Sequence, residues 1–214
     1  MKTTNKIADL LLQSKAIKLQ PASPFTWASG WKSPIYCDNR KTLSHPQVRD
    51  EIRNAYVQCV TENFENVEVI AGVATGAIAQ GALVAQALNL PFIYIRSSAK
   101  DHGMKNLIEG DYHPGQRIVV IEDLISTGGS SLKAVDALKD AGCNVLGMVA
   151  AFTYGFSESE EKFSAYGLPV HTLTNYEIML GQALSSNYIE GKDMKILRDW
   201  RLNPSAWTGQ QEGK

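Results

Sequence analysis

Within fourteen residues, 117–130, the chain reads RIVVIEDLISTGGS and changes character twice. Ile118, Val119, Val120 and Ile121 form a continuous apolar run rich in β-branched residues, the pattern of a strand buried on both faces of a parallel sheet. Glu122 and Asp123 follow at once, at the carboxyl end of the predicted strand, where open α/β sheets place their ligands. Ser126, Thr127, Gly128, Gly129 and Ser130 come next, and Leu132, Val135, Ala137 and Leu138 then recur at helical spacing. Strand, loop and helix in that order place the chain in the α/β class.

A loop of small residues opening a helix presents backbone N–H groups to an anion, and the helix dipole favours negative charge there. The hydroxyls of Ser126, Thr127 and Ser130 add donors, while the two carboxylates can accept from sugar hydroxyls or hold hydrated magnesium. The combination suits a sugar phosphate. A plain βα turn with a Ser/Thr cap is the other reading, and the adjoining acids weigh against it. Neither a P-loop, which needs a Lys after its second glycine, nor a G-x-G-x-x-G fingerprint is present, so ordinary nucleotide hydrolysis is disfavoured.

The stretch VVIEDLISTGGS resembles the phosphoribosyl pyrophosphate (PRPP) motif of the type I phosphoribosyltransferases. The resemblance implies an α/β fold with a central, mainly parallel sheet of about five strands, helices on both faces, and an N-terminal hood. It implies that Glu122 and Asp123 hold ribose hydroxyls, directly or through magnesium-bound water. Thr127, Gly128, Gly129 and Ser130 would then grip the 5′-phosphate, with Leu124, Ile125 and Ser126 among the PRPP-binding residues. Magnesium would travel with PRPP, with no direct protein ligand expected.

Two further segments narrow the family. FTWASGWKSPIYCDNR, residues 25–40, reads as a hairpin about Ser29-Gly30. Its aromatics suit either stacking on a planar base or a satellite hydrophobic cluster. F-T-x-x-S-G-x-K-S-P-x-Y resembles the hood of the orotate phosphoribosyltransferase family, in its Bacillus-like branch. That likeness implies Tyr36 and Ser126 against orotate, with Lys32 and Arg40 as candidates to neutralise the carboxylate. The second segment, RSSAKDHGMKNLIEGDYHPGQR, is a long charged stretch with little apolar periodicity, either a functional lid or a solvated loop. R-x-x-x-K-D-H-G is similar to the family's catalytic loop. Arg96, Lys100, Asp101 and His102 carry over, the loop closing over pyrophosphate at a site shared with the second subunit of a homodimer.

Between these segments the spacing predicts a helix after Ser44-His45-Pro46, a strand over 67–71, a Gly-rich turn and a small-residue helix over 77–88. By resemblance Thr75 and Gly76, with Ala74, lie on a pyrophosphate-binding loop. Close helix-to-strand packing permitted by glycine is a reading that can hold at the same time. Strands are expected over 92–95, 144–151 and 170–173, and closing helices over 176–184 and 192–200. At the N-terminus Ile7, Leu10 and Leu11 trace a helix with Thr3 or Thr4 as its cap.

The 214 residues, 44% apolar and 20% charged, suit one globular domain, which the resemblance implies is a single phosphoribosyltransferase domain over 1–214 with its hood mainly in residues 1–40. A net charge of -1 makes no electrostatic case for nucleic acid or a membrane as partner. Cys37, Cys59 and Cys143 are odd in number and lack a C-x-x-C pair, which fits a reducing cytoplasm. The function the resemblance implies is transfer of phosphoribosyl from PRPP to orotate, giving orotidine 5′-phosphate and pyrophosphate in pyrimidine synthesis. Purine salvage by a related enzyme, an effector-sensing regulator and a non-catalytic nucleotide binder are the alternatives.

Overall fold

Helical spacing of Ile7, Leu11 and Leu12 buries one side of the first helix, α1 (Thr3–Gln13). The structure, a computed structural model, describes residues 2–27, 29–98 and 107–209. Two compact units emerge: Met1–His45 with Thr174–Lys214, and Pro46–Leu173.

In the first unit α1 is followed by β1 (Ile17–Leu19), β2 (Phe25–Thr26), β3 (Lys32–Ser33) and β4 (Ile35–Cys37), then a 3₁₀ helix (Asn39–Ser44). The hairpin about Ser29-Gly30 forms as expected, Phe25 opposite Ser33 and Thr26 opposite Lys32. β1 and β4 also pair antiparallel, Lys18 opposite Tyr36. The cap expected of Thr3 or Thr4 is absent: the helix begins at Thr3, so both threonines lie in its first turn, and Lys2 occupies the cap position without a side-chain bond.

The second unit opens with α2 (Pro46–Asn63), Pro46 taking the first helical position where its missing N–H costs nothing. There follow β5 (Val69–Val73), α3 (Ile78–Leu88), β6 (Phe92–Ile95), β7 (Ile108–Glu109), β8 (Arg117–Ile125), α4 (Gly129–Asp140), β9 (Asn144–Thr153) and α5 (Ser157–Tyr166). β10 (Val170–Asn175) carries the chain back into the first unit, to which α6 (Tyr176–Ser185) and α7 (Gly191–Leu202) belong. The sheet has six strands in the order β10-β9-β8-β5-β6-β7, one more than expected. The addition is β7, whose two residues inside the long charged stretch are too few to show a period. β7 pairs antiparallel with β6, whereas β5 pairs in parallel with β6 and β8, and β8 with β9.

The apolar run behaves as its composition predicts. Ile118, Val119, Val120 and Ile121 are each fully buried. Ile118 and Val120 enter a core with Val69, Ala71, Val135, Leu138, Met148 and Phe163, and by strand alternation Val119 and Ile121 fill the opposite face. β8 is longer than the run, however. Pairing with β5 ends at Gly72 opposite Ile121, while pairing with β9 continues through Glu122, Leu124 and Ile125. The acids therefore lie within the strand rather than after it, along an edge that β5 has left.

Candidate active site

Where β5 stops pairing, its chain turns through Ala74, Thr75 and Gly76 into α3, and this turn meets β8's acids. A methyl group at Gly76 would overlap the Asp123 carboxylate, so the backbone of one segment lies directly on the side chain of the other. Two segments more than forty residues apart in sequence are thus brought together at the carboxyl ends of neighbouring strands. The Ala74–Thr75 peptide bond is cis, and Thr75 is exposed.

The two acids have different surroundings. Glu122 is 4% exposed, and both its oxygens are engaged: Oε1 accepts from the Asp123 N–H at 2.9 Å and Oε2 from the Ser131 hydroxyl at 2.7 Å. Its backbone carbonyl accepts from the buried Tyr56 hydroxyl at 2.5 Å. Burial, helped by the adjacent Asp123 charge, pushes the Glu122 carboxyl up to about 8. Asp123 is only half-buried, with its carboxylate turned to Gly76. Glu122 is thus built into the frame, while Asp123 is the more open of the two acids.

That shift has a consequence for stability. The native state keeps its proton on Glu122 up to about 8, while the unfolded chain releases it near the ordinary value of 4.5, so the native state binds more protons across that window. Stability in the ligand-free protein should therefore fall as pH rises from 4.5 towards 8, and Glu122→Gln should flatten that part of the profile. Chemical denaturation at a series of pH values checks this; an unchanged slope in the variant would contradict it.

After Ile125 the loop reaches α4 through Gly128, which takes the left-handed conformation at φ 77° that glycine accommodates without strain. Gly128 caps the helix, so the Ser/Thr cap of the plain-turn reading is not formed. The N–H groups of Gly129, Ser130 and Ser131 precede the first intrahelical bond, Leu132 N–H to Gly128 O. Beside this helix start lies a cavity of about 460 Å³ whose lining includes Ala74, Arg96, Ser97, Gly129 and Ser130. Arg96 is held there by Glu109 of β7, 3.4 Å from guanidinium to carboxylate, and by its N–H to Leu107 O. Of the expected site residues, then, Gly76 and Asp123 meet directly, and Arg96, Gly129 and Ser130 share one cavity. Lys100, Asp101 and His102 lie outside the described residues.

In the other unit the aromatic segment divides its work. Trp27 stacks on Trp31, meets the buried Trp200 edge-on, and donates from its indole N–H to Ile35 O; these rings are packing. Tyr36 is 38% exposed beside Phe25, and Lys32 is exposed, its ammonium 2.8 Å from the Thr26 hydroxyl. Arg40 is paired with Asp38 at 2.7 Å. Sequence reasoning missed the bonds of Ser131 and Tyr56 to Glu122, nine and sixty-six residues away, which no local pattern announces.

Known proteins bear on this arrangement. The phosphoribosyl transferase domain family matches residues 39–181. An orotate phosphoribosyltransferase of Bacteroides thetaiotaomicron is 62% identical over 200 residues, 94% of either chain. The chain belongs to the orotate phosphoribosyltransferases. Another member, from Phocaeicola vulgatus, is 60% identical over 208 residues, covering 97% of this chain and 98% of its own. The crystal structure of the orotate phosphoribosyltransferase from Aeropyrum pernix shares the fold with a TM-score of 0.75 at 24% identity, over 86% of this chain and 99% of that one. The fold is the type I phosphoribosyltransferase fold, a mostly parallel sheet flanked by helices.

The donor set also bears on magnesium. Among the described residues no cluster of three or more His, Cys, Asp or Glu forms. One half-buried carboxylate, Asp123, beside a glycine-lined turn suits an ion that keeps most of its waters and brings phosphate ligands with it.

Proposed function

We propose that the turn at 74–76, the acid pair and the loop at 126–130 form the donor site of this enzyme. Orotate phosphoribosyltransferase activity, in pyrimidine biosynthesis, is the function its family membership carries. The meeting of Gly76 with the Asp123 carboxylate is the observation that best supports the donor site, since it unites the pyrophosphate and ribose segments of PRPP.

In the reaction the base nitrogen displaces pyrophosphate at the anomeric carbon while the ribose ring gains oxocarbenium character. Charge builds on the leaving oxygens, so cations aimed there bind the transition state better than the ground state. Arg96 and Lys100 take that role, His102 hydrogen-bonds the pyrophosphate, and Asp101 belongs to the same loop. Thr75 and Gly76 receive pyrophosphate on backbone and hydroxyl donors. Asp123 holds the ribose hydroxyls, steadied by Glu122. Leu124 and Ile125 lead into the loop where Ser126, Thr127, Gly128, Gly129 and Ser130 grip the 5′-phosphate. Magnesium, when bound with PRPP, would supply neutralising charge for the pyrophosphate, and Asp123 is the residue that would hold it. On the acceptor side we carry Ser126, Tyr36 and Lys32 from the resemblance. Arg40 is a weaker candidate because Asp38 already balances its charge.

The chain works as one phosphoribosyltransferase domain, and as a homodimer with shared active sites, on the same resemblance. A cytoplasmic setting is supported by three cysteines, none of which is joined in a disulfide. Among the described residues no helix is long and apolar enough to cross a membrane. Pyrophosphate release with orotate, uracil, adenine and hypoxanthine supplied in turn tests the acceptor: release with orotate alone is expected, and release with a purine would overturn the assignment.

A further inference from the structure

The phosphate loop is braced from outside by α5, through two neighbouring residues. Lys162 Nζ donates to the Thr127 carbonyl at 3.3 Å, reaching back thirty-five positions in sequence. Phe163, buried in the core, lies so close to Gly128 that a methyl group there would come within 3.0 Å of its ring. Lys162 is otherwise unexplained by the site, since its side chain is 41% exposed and also pairs with Glu158 at 2.6 Å one helical turn away.

An anion cradle works only if its N–H groups face the anion and its carbonyls face away, because a carbonyl dipole pointing inward repels phosphate. The left-handed turn at Gly128 reverses the chain between the Thr127 carbonyl and the leading N–H groups of α4. We propose that Lys162 is a positioning residue for the donor site, fixing the Thr127 carbonyl on the outer side of the loop so that the N–H groups of residues 128–131 stay aimed at the 5′-phosphate. Glu158 balances the lysine's charge, so the effect comes from the bond to Thr127 and not from a long-range field. Phe163 holds Gly128 from the same helix, which makes α5 a rigid backing for the two residues where the loop reverses.

The inference rests on the donor site proposed above, and the test keeps the two apart. Binding of ribose 5-phosphate and of pyrophosphate is titrated separately, because the first reports on the 126–130 loop and the second on the turn at 74–76. Lys162→Met should weaken ribose 5-phosphate binding by about tenfold, the scale of one hydrogen bond to a charged group. Pyrophosphate affinity should stay within about twofold, since its site lies beyond the brace, and the melting temperature should not move. Lys162→Arg, which keeps a cationic donor, should recover most of the loss. Glu158→Gln, which leaves the lysine in place, should change ribose 5-phosphate affinity by less than about twofold. Unchanged ribose 5-phosphate binding in Lys162→Met would overturn the proposal. So would an equal loss of both ligands, or a gain in Glu158→Gln matching the loss in Lys162→Met, which would make the lysine a source of charge. Wild-type protein that bound neither ribose 5-phosphate nor PRPP would overturn the donor site and this inference together.

Discussion

Asp123→Asn should lower kcat/KM for PRPP by about a hundredfold, because hydrogen bonds to a charged group contribute roughly 1.5–3 kcal/mol and each 1.4 kcal/mol is a factor of about ten. The substitution is close to isosteric. It leaves the backbone N–H that Glu122 accepts, so the frame around the acids is untouched. What it removes is the charge and one acceptor at the point where the carboxylate meets Gly76. Melting temperature should therefore change little, since the side chain is half-buried and outside the hydrophobic core. The adjacent acid supplies the control. Glu122 holds Ser131 and the Asp123 N–H from a buried position, so Glu122→Gln should act mainly on the pH dependence of stability. Steady-state kinetics of both variants checks the division; full activity in Asp123→Asn with a collapse in Glu122→Gln would reverse the roles.

Lys100→Ala should lower kcat by about a hundredfold, the usual cost of removing one well-placed charge-stabilising donor, with donor affinity within about threefold of wild type. Pyrophosphate gains charge as the anomeric bond breaks, so a lysine aimed at the leaving oxygens contributes more in the transition state than in the complex before it. In the proposed site Arg96, paired with Glu109, would contribute in both states, which is why donor binding is expected to survive. Loss of donor affinity alone, with kcat intact, would remove the catalytic role from Lys100.

How far the sequence carried this reading depended on the range of the forces involved. The buried run 118–121 was legible because a strand covered on both faces must be apolar at every position. The helices α2, α3 and α4 were legible from their periodicity, and the hairpin at Ser29-Gly30 from its turn residues. The end of β8 was not, because residues beyond the apolar run still pair with one neighbour after the other has left, as Glu122 and Leu124 do with β9. Nor was β7, whose two residues gain their strand geometry from β6. Within the site, the motif residues announced themselves by type and spacing. Ser131 and Lys162 did not: a serine inside α4 and a partly exposed lysine on α5 look ordinary until the fold brings Glu122 and Thr127 to them.

The central claim is that this chain transfers phosphoribosyl to orotate, and the loss of orotate absorbance on adding protein, PRPP and magnesium tests it most directly. The account predicts a steady loss that requires all three and is cut about a hundredfold by Asp123→Asn. PRPP binding without any loss of orotate, in protein shown to be folded, would contradict it.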